Sequence, residues 1–91
     1  MSADNGIYIA KFPDGYRVAY EAGIDNVDYF PVGSNKRKRH LRITFGKSKV
    51  FSTKELAYEE AKKMEKDFIK DGHYLEYGVC YIGEYEDFKT K

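Results

Sequence analysis

The most regular pattern of hydrophobic and polar positions in the chain predicts one amphipathic helix over residues 52–72. Four apolar residues recur with the spacing of a helical stripe: Ala57, Ala61, Met64 and Phe68. Ser52 and Glu55 have the spacing of a capping box at the start of this helix. Gly72 can take the left-handed conformation that ends helices. We therefore expect this helix to pack against the rest of the protein through its apolar stripe.

Alternating apolar and polar positions predict β-strands in front of the helix. Residues 6–12 carry apolar groups on both faces, which is typical of an interior strand. The sequence Pro-Asp-Gly at 13–15 has turn chemistry at each position. Residues 16–22 then form the second arm of a hairpin, with Arg17 on the side that we expect to be wetter.

The remaining segments predict further strands separated by polar loops. Residues 29–32 form at most a short edge strand, because they contain a proline that lacks a backbone donor. The composition of residues 33–40 indicates a basic loop, and the alternation of residues 41–45 indicates a strand. Residues 74–82 alternate in the same way after the helix, and residues 84–91 form a polar tail that we expect to fray.

These elements predict an α+β protein of order β-β-(β)-β-α-β, with one α-helix packed on one face of a mainly antiparallel four- to five-stranded sheet. The length of 91 residues and the 42% of apolar side chains predict a single domain spanning residues 1–91. One helix covers only one face, so part of the nine tyrosines and six phenylalanines should remain exposed on the other. The predicted aromatic face consists of Tyr8, Tyr20, Tyr77 and Tyr81. The alternative is that these tyrosines only cover the sheet with hydroxyls in water.

The formal net charge of +1 conceals a strong separation of charge along the chain. Residues 1–35 sum to −3, residues 36–49 to +7 and residues 50–91 to −3. The predicted basic patch consists of Lys36, Arg37, Lys38, Arg39, Arg42, Lys47 and Lys49, and His40 lies within it. Such a patch suits phosphates or an acidic protein surface. The alternative is a mobile, solvated loop without a specific partner.

The chain lacks the residues that several classes of function require. Gly46 and Lys47 do not open a phosphate-binding P-loop, because Leu41 stands where the motif requires its first glycine. The two histidines and the single Cys80 are far apart, so we predict no metal site, no cofactor and no enzyme. One cysteine and the lack of an apolar run of membrane-spanning length predict a cytoplasmic protein without a membrane partner.

Four segments of the chain resemble a group of small uncharacterised proteins encoded by bacteriophages and prophages. They are Ser-Ala-Asp-Asn-Gly-Ile-Tyr-Ile at 2–9, Asp-Gly-Tyr-Arg-Val-Ala at 14–19, Phe-Gly-Lys-Ser-Lys-Val-Phe at 45–51 and Glu-Tyr-Gly-Val at 76–79. The resemblance covers the framework and not the basic segment. It implies a phage origin and the cytoplasm of a bacterial host, and it carries over no activity and no functional residue.

The charge separation and the surplus of aromatic residues predict a non-catalytic accessory binding protein of phage type. Such a protein would inhibit a host antiviral defence system, as anti-CRISPR proteins do, by occupying a host protein or ribonucleoprotein or its nucleic-acid groove. Two alternatives stay open, namely direct binding of nucleic acid and sequestration of a small nucleotide signal. A homodimer through the aromatic face is also compatible with the sequence.

Overall fold

The computed structural model describes residues 5–22 and 29–85. Its elements are, in chain order, β1 (Asn5–Phe12), β2 (Gly15–Ala22), α1 (Asn35–Phe45), α2 (Lys54–Lys70) and β3 (Val79–Glu84). The α+β class is confirmed. The described residues form a mixed sheet of three strands with two helices, and the prediction of one helix and four to five mainly antiparallel strands is not confirmed.

Strand β1 is central in the sheet, as its two apolar faces predict. Strand β2 pairs with it antiparallel through a tight hairpin in which Phe12 and Gly15 are register partners. Strand β3 pairs with it parallel on the other side, with Ile7 opposite Val79. Gly15 has a φ of 137°, and a Cβ atom at this position would lie 2.8 Å from the carbonyl oxygen of Phe51. The predicted turn therefore depends on this glycine.

Each face of the sheet is covered by one helix. The buried residues on the α2 side are Ile7, Ile9, Val18, Ala57 and Ala61. The buried residues on the α1 side are Tyr8, Ala10, Phe12, Ala19, Leu41, Phe45 and Tyr85. The prediction of an open aromatic face is therefore wrong, because a second helix packs where the sequence pattern indicated none.

Helix α1 replaces both the basic loop predicted at 33–40 and the strand predicted at 41–45. Its N-cap is Ser34, whose hydroxyl oxygen accepts a hydrogen bond of 3.2 Å from the backbone N–H of Arg37. Lysine, arginine and leucine are good helix formers, so a segment with a loop-like composition can propagate the helix once it is capped.

The alternation at residues 41–45 that predicted a strand arises because one of its three apolar residues is exposed to solvent. Leu41 and Phe45 are fully buried and lie four residues apart, so they share one side of the helix. Ile43 between them is 69% exposed. The three apolar residues at alternate positions therefore lie on two opposite sides of the helix, with Leu41 and Phe45 facing the core and Ile43 facing solvent.

Helix α2 matches the predicted helix, with a start shifted by one residue. Its N-cap is Thr53, whose Oγ1 accepts a hydrogen bond of 3.2 Å from the backbone N–H of Leu56. The capping box predicted at Ser52 and Glu55 is therefore wrong, because the neighbouring threonine takes the capping role.

The end of α2 agrees with the prediction. Gly72 has a φ of 88°. Its N–H donates to the carbonyl of Ile69 at 3.0 Å, and the N–H of His73 donates to the carbonyl of Phe68 at 2.9 Å. This pair of bonds is a Schellman motif, so Gly72 ends the helix as its conformational freedom indicated.

The strand predicted at 74–82 begins later, at the first residue of β3. The side chain of the buried Asn5 donates to the carbonyl of Tyr74 at 2.6 Å and accepts from the N–H of Glu76 at 2.9 Å. Gly78 has a φ of 61°, which interrupts an extended strand. These contacts hold the segment before β3 as a loop against the start of β1.

The prediction of a frayed tail at 84–91 is wrong at its beginning, because Glu84 belongs to β3 and Tyr85 is buried. Residues 86–91 lie outside the described part. The segment 29–32 contains no strand. Among the described residues, no helix is long and apolar enough to span a membrane.

Candidate binding surface on helix α1

The outer side of α1 presents three exposed basic residues, Lys36, Arg39 and Arg42, which we call the basic stripe. They are spaced three residues apart and span about 9 Å along the helix axis at 1.5 Å per residue. The exposed Ile43 follows the last of them. The outer side of α1 therefore presents the basic stripe and one apolar side chain on the same helix.

The other two basic residues of α1 in the predicted patch are half-buried. Arg37 donates from Nη1 to the carbonyl of Phe30 at 3.3 Å, and its guanidinium carbon lies 5.3 Å from the ring centroid of Tyr85. Lys38 is also half-buried, and the ring of His40 lies 6.0 Å from that of Phe30. Arg37 therefore anchors the N-terminal half of α1 to the segments that flank it.

The C-terminal end of α1 rests on a buried arginine that the sequence pattern assigned to a wetter surface. Arg17 is 3% exposed. Its Nη1 donates to the carbonyls of Phe45 at 3.3 Å and Ser48 at 3.1 Å, and its Nη2 donates to Oδ2 of Asp14 at 2.8 Å. The guanidinium satisfies the carbonyl of Phe45 at the negative end of the helix dipole and the carbonyl of Ser48 in the segment that follows the helix. The prediction for Arg17 is wrong because α1 covers this side of β2.

The chain that follows α1 is fixed to the outer edge of β2. The hydroxyl of Ser48 accepts a hydrogen bond of 3.0 Å from the N–H of Val18. Tyr16 and Phe51 exchange two backbone hydrogen bonds of 2.8 Å each. This edge of the sheet is thus partly paired, and the positions of Lys47 and Lys49 are determined by it.

Lys47 and Lys49 line a cleft of about 430 Å³ that lies between this segment and α2. The other residues that line it are Val18, Ser48, Phe51, Glu60 and Met64. The predicted basic patch is therefore divided into the basic stripe, the half-buried residues beside it, and two lysines that open onto a different site.

The charges of the basic stripe are not neutralised within the described part of the chain. None of Lys36, Arg39 and Arg42 forms an ion pair with a described residue. The first turn of α1 contains no acidic residue, and Glu21 of β2 accepts a hydrogen bond from Thr44 at 3.1 Å. Lys36 lies in the first turn of α1, where a positive charge opposes the helix dipole, so an anionic partner near it would relieve this repulsion.

The four tyrosines of the predicted aromatic face do not share a surface. Tyr8 is buried on the α1 side, whereas Tyr20 and Tyr81 contact the α2 side. Tyr77 lies in the loop before β3 and is partly exposed. These residues therefore do not form one binding face.

Tyr81 is covered by Lys54, whose Nζ lies 3.9 Å from the centre of the tyrosine ring. Burial raises the pKa of the Tyr81 hydroxyl above its ordinary value, and the nearby Glu84 carboxylate acts in the same direction. The hydroxyl therefore stays protonated at neutral pH and adds no charge to the surface.

Comparison of the chain with protein-family models, curated proteins and solved structures found no match. Within residues 5–22 and 29–85, no group of three or more His, Cys, Asp or Glu side chains could hold a metal ion. The resemblance to phage proteins stays a prediction.

Proposed function

We propose that this chain is a non-catalytic binding protein that attaches to an acidic surface of a partner protein through the outer side of α1. The observation that supports the proposal most is the exposed Ile43 next to three basic residues that form no ion pair with a described residue. A charged rim around an apolar anchor is the usual arrangement of a protein interface.

The two components of this surface have different roles. The basic stripe raises the association rate by attracting an acidic partner and selects against basic ones. Ile43 supplies affinity when it enters an apolar pocket, because full burial of such a side chain contributes roughly 1.5 to 3 kcal/mol. Arg17 and Arg37 hold the helix in place, so the surface is presented without a cost for ordering it.

The resemblance to small phage proteins suggests the identity of the partner. Such proteins commonly bind and block a component of the bacterial host, so we propose a host protein or ribonucleoprotein, including a component of an antiviral defence system. This part of the proposal is an analogy to a class of proteins. It makes a bacterial lysate the appropriate source of partners.

The test is affinity capture from a bacterial lysate with two matched charge reversals. One variant carries Lys36→Glu, Arg39→Glu and Arg42→Glu, and the control carries Lys63→Glu, Lys66→Glu and Lys70→Glu on the exposed side of α2. We expect a captured protein that is lost with the α1 variant and retained with the control. Retention of that protein by the α1 variant would remove the basic stripe from the interaction.

Direct binding of nucleic acid is a second candidate. It is supported by the regular spacing of three exposed basic residues along one helix. Phosphate contacts release counterions, so the affinity for an oligonucleotide should fall steeply as salt increases. Fluorescence anisotropy at two salt concentrations measures this, and absent or salt-independent binding argues against it. The variant Ile43→Ser distinguishes the two candidates. It should weaken binding to a protein partner, whose apolar pocket loses a contact, and leave binding to an oligonucleotide unchanged.

A further inference from the structure

The cleft between α2 and the segment after α1 has chemically distinct walls. Lys47 and Lys49 lie on one wall, and Glu60 of α2 lies on the other. The partly buried Phe51 and Met64 contribute apolar lining to the cleft. A volume of about 430 Å³ falls in the range of small-molecule pockets.

The wall that carries the lysines is held rigidly. The N–H of Gly46 donates to the carbonyl of Arg42 at 2.8 Å, and the N–H of Ser48 donates to the carbonyl of Phe45 at 3.0 Å. The buried Arg17 holds this wall from below through the carbonyl of Ser48. The backbone that carries both lysines is therefore arranged before any ligand enters, which reduces the entropy lost on binding.

We infer that this cleft binds a small aromatic phosphate of the mononucleotide class, independently of the α1 surface. The phosphate contacts the ammonium groups of Lys47 and Lys49, which are mobile point charges suited to phosphate oxygens. The planar base packs on Phe51 and Met64. The Glu60 carboxylate accepts a hydrogen bond from an exocyclic amino group of the base.

The Glu60 carboxylate makes the site selective among bases. A carboxylate only accepts hydrogen bonds, so it favours a base with an exocyclic amino group, such as adenine, over hypoxanthine, which offers a carbonyl at the same position. IMP lacks this hydrogen bond to a charged group, so AMP should bind at least about tenfold more tightly than IMP.

The first test is calorimetric titration of the unaltered protein, which measures its affinity for five ligands: AMP, IMP, adenosine, inorganic phosphate and free phenylalanine. We expect AMP to bind most tightly, because only AMP supplies the phosphate, the planar ring and the amino group together. Binding of adenosine as tight as that of AMP would overturn the assignment of the lysines. Stronger binding of phenylalanine would assign the cleft to zwitterionic amino acids, and no saturable binding of AMP would overturn the inference.

The second test uses charge-matched variants. The change Lys47→Gln with Lys49→Gln should weaken AMP binding about tenfold or more, since it removes two charged donors. The change Lys66→Gln with Lys70→Gln, at exposed positions of α2 outside the cleft, should leave the affinity unchanged. An equal loss in both variants would show an unspecific effect of charge and overturn the inference.

The variant Glu60→Gln tests selectivity separately from affinity. Glutamine can accept from adenine or donate to hypoxanthine, so the preference for AMP over IMP should disappear while AMP still binds. An unchanged preference would show that Glu60 does not contact the base. Neither outcome depends on the basic stripe, so a failure here leaves the proposed function of α1 untouched.

Discussion

Replacing the buried Arg17 with methionine (Arg17→Met) tests how α1 is held on the sheet. The change keeps most of the apolar stem but leaves the carbonyls of Phe45 and Ser48 without this donor. It also removes the ion-pair partner of Asp14, whose side chain is 35% exposed, so water compensates most of that loss. Two lost bonds from a charged donor lower the free energy of unfolding by about 3 kcal/mol.

Urea denaturation and thermal melting measure this loss directly. A loss of about 3 kcal/mol corresponds to a fall in Tm of about 12 to 24 °C for a protein of this size. The control is Arg42→Met, the same substitution at an exposed arginine of α1, and it should change the stability by no more than about 0.5 kcal/mol. A loss below about 1 kcal/mol for Arg17→Met, or equal losses in both variants, would refute the reasoning.

Four further substitutions, each measured by the midpoint of urea denaturation, test the core and the helix ends. Phe45→Ala should cost about 3 to 5 kcal/mol and more than Phe68→Ala, because Phe45 is fully buried and Phe68 only partly. A larger cost for Phe68→Ala would contradict the assignment of the α1 side of the core. Ser34→Ala should cost about 1 kcal/mol through the lost N-cap. Gly72→Ala should cost about 1 kcal/mol because of its positive φ, and an unaltered midpoint would argue against that conformation.

The elements that could be predicted are those with a local and redundant signal. Strand β1 has apolar residues on both faces, the turn at 13–15 has three residues that favour it, and α2 has a stripe of four apolar residues ended by Gly72. Each of these features is visible without knowledge of what packs against it. Even here, adjacent Ser52 and Thr53 are both good caps, and the structure selects the second.

Helix α1 could not be predicted in the same way because its signal is ambiguous. Apolar residues at 41, 43 and 45 satisfy the period of a strand, while 41 and 45 alone satisfy that of a helix. The deciding fact is the exposure of Ile43, which depends on tertiary packing. Ser34 before the segment and Gly46 after it are helix boundaries that, in retrospect, favour a helix.

The candidate site shows a similar division. Composition identifies the seven basic residues but not the three groups into which the structure divides them. The two carbonyl partners of Arg17 lie far from it along the chain, Phe45 at 28 residues and Ser48 at 31, so no local pattern reveals these contacts. The cleft beside Lys47 and Lys49 depends on the packing of α2 against β2. Such long-range contacts are decided by the whole fold.

The most direct test of the account is the conformation of residues 35–45 in solution by NMR, because both the covered sheet face and the basic stripe depend on it. The account predicts helical Cα chemical shifts across this segment and cross-peaks between the rings of Phe12 and Phe45, whose centroids lie 5.3 Å apart. Extended-strand shifts at 41–45 without contacts between these two rings would contradict it.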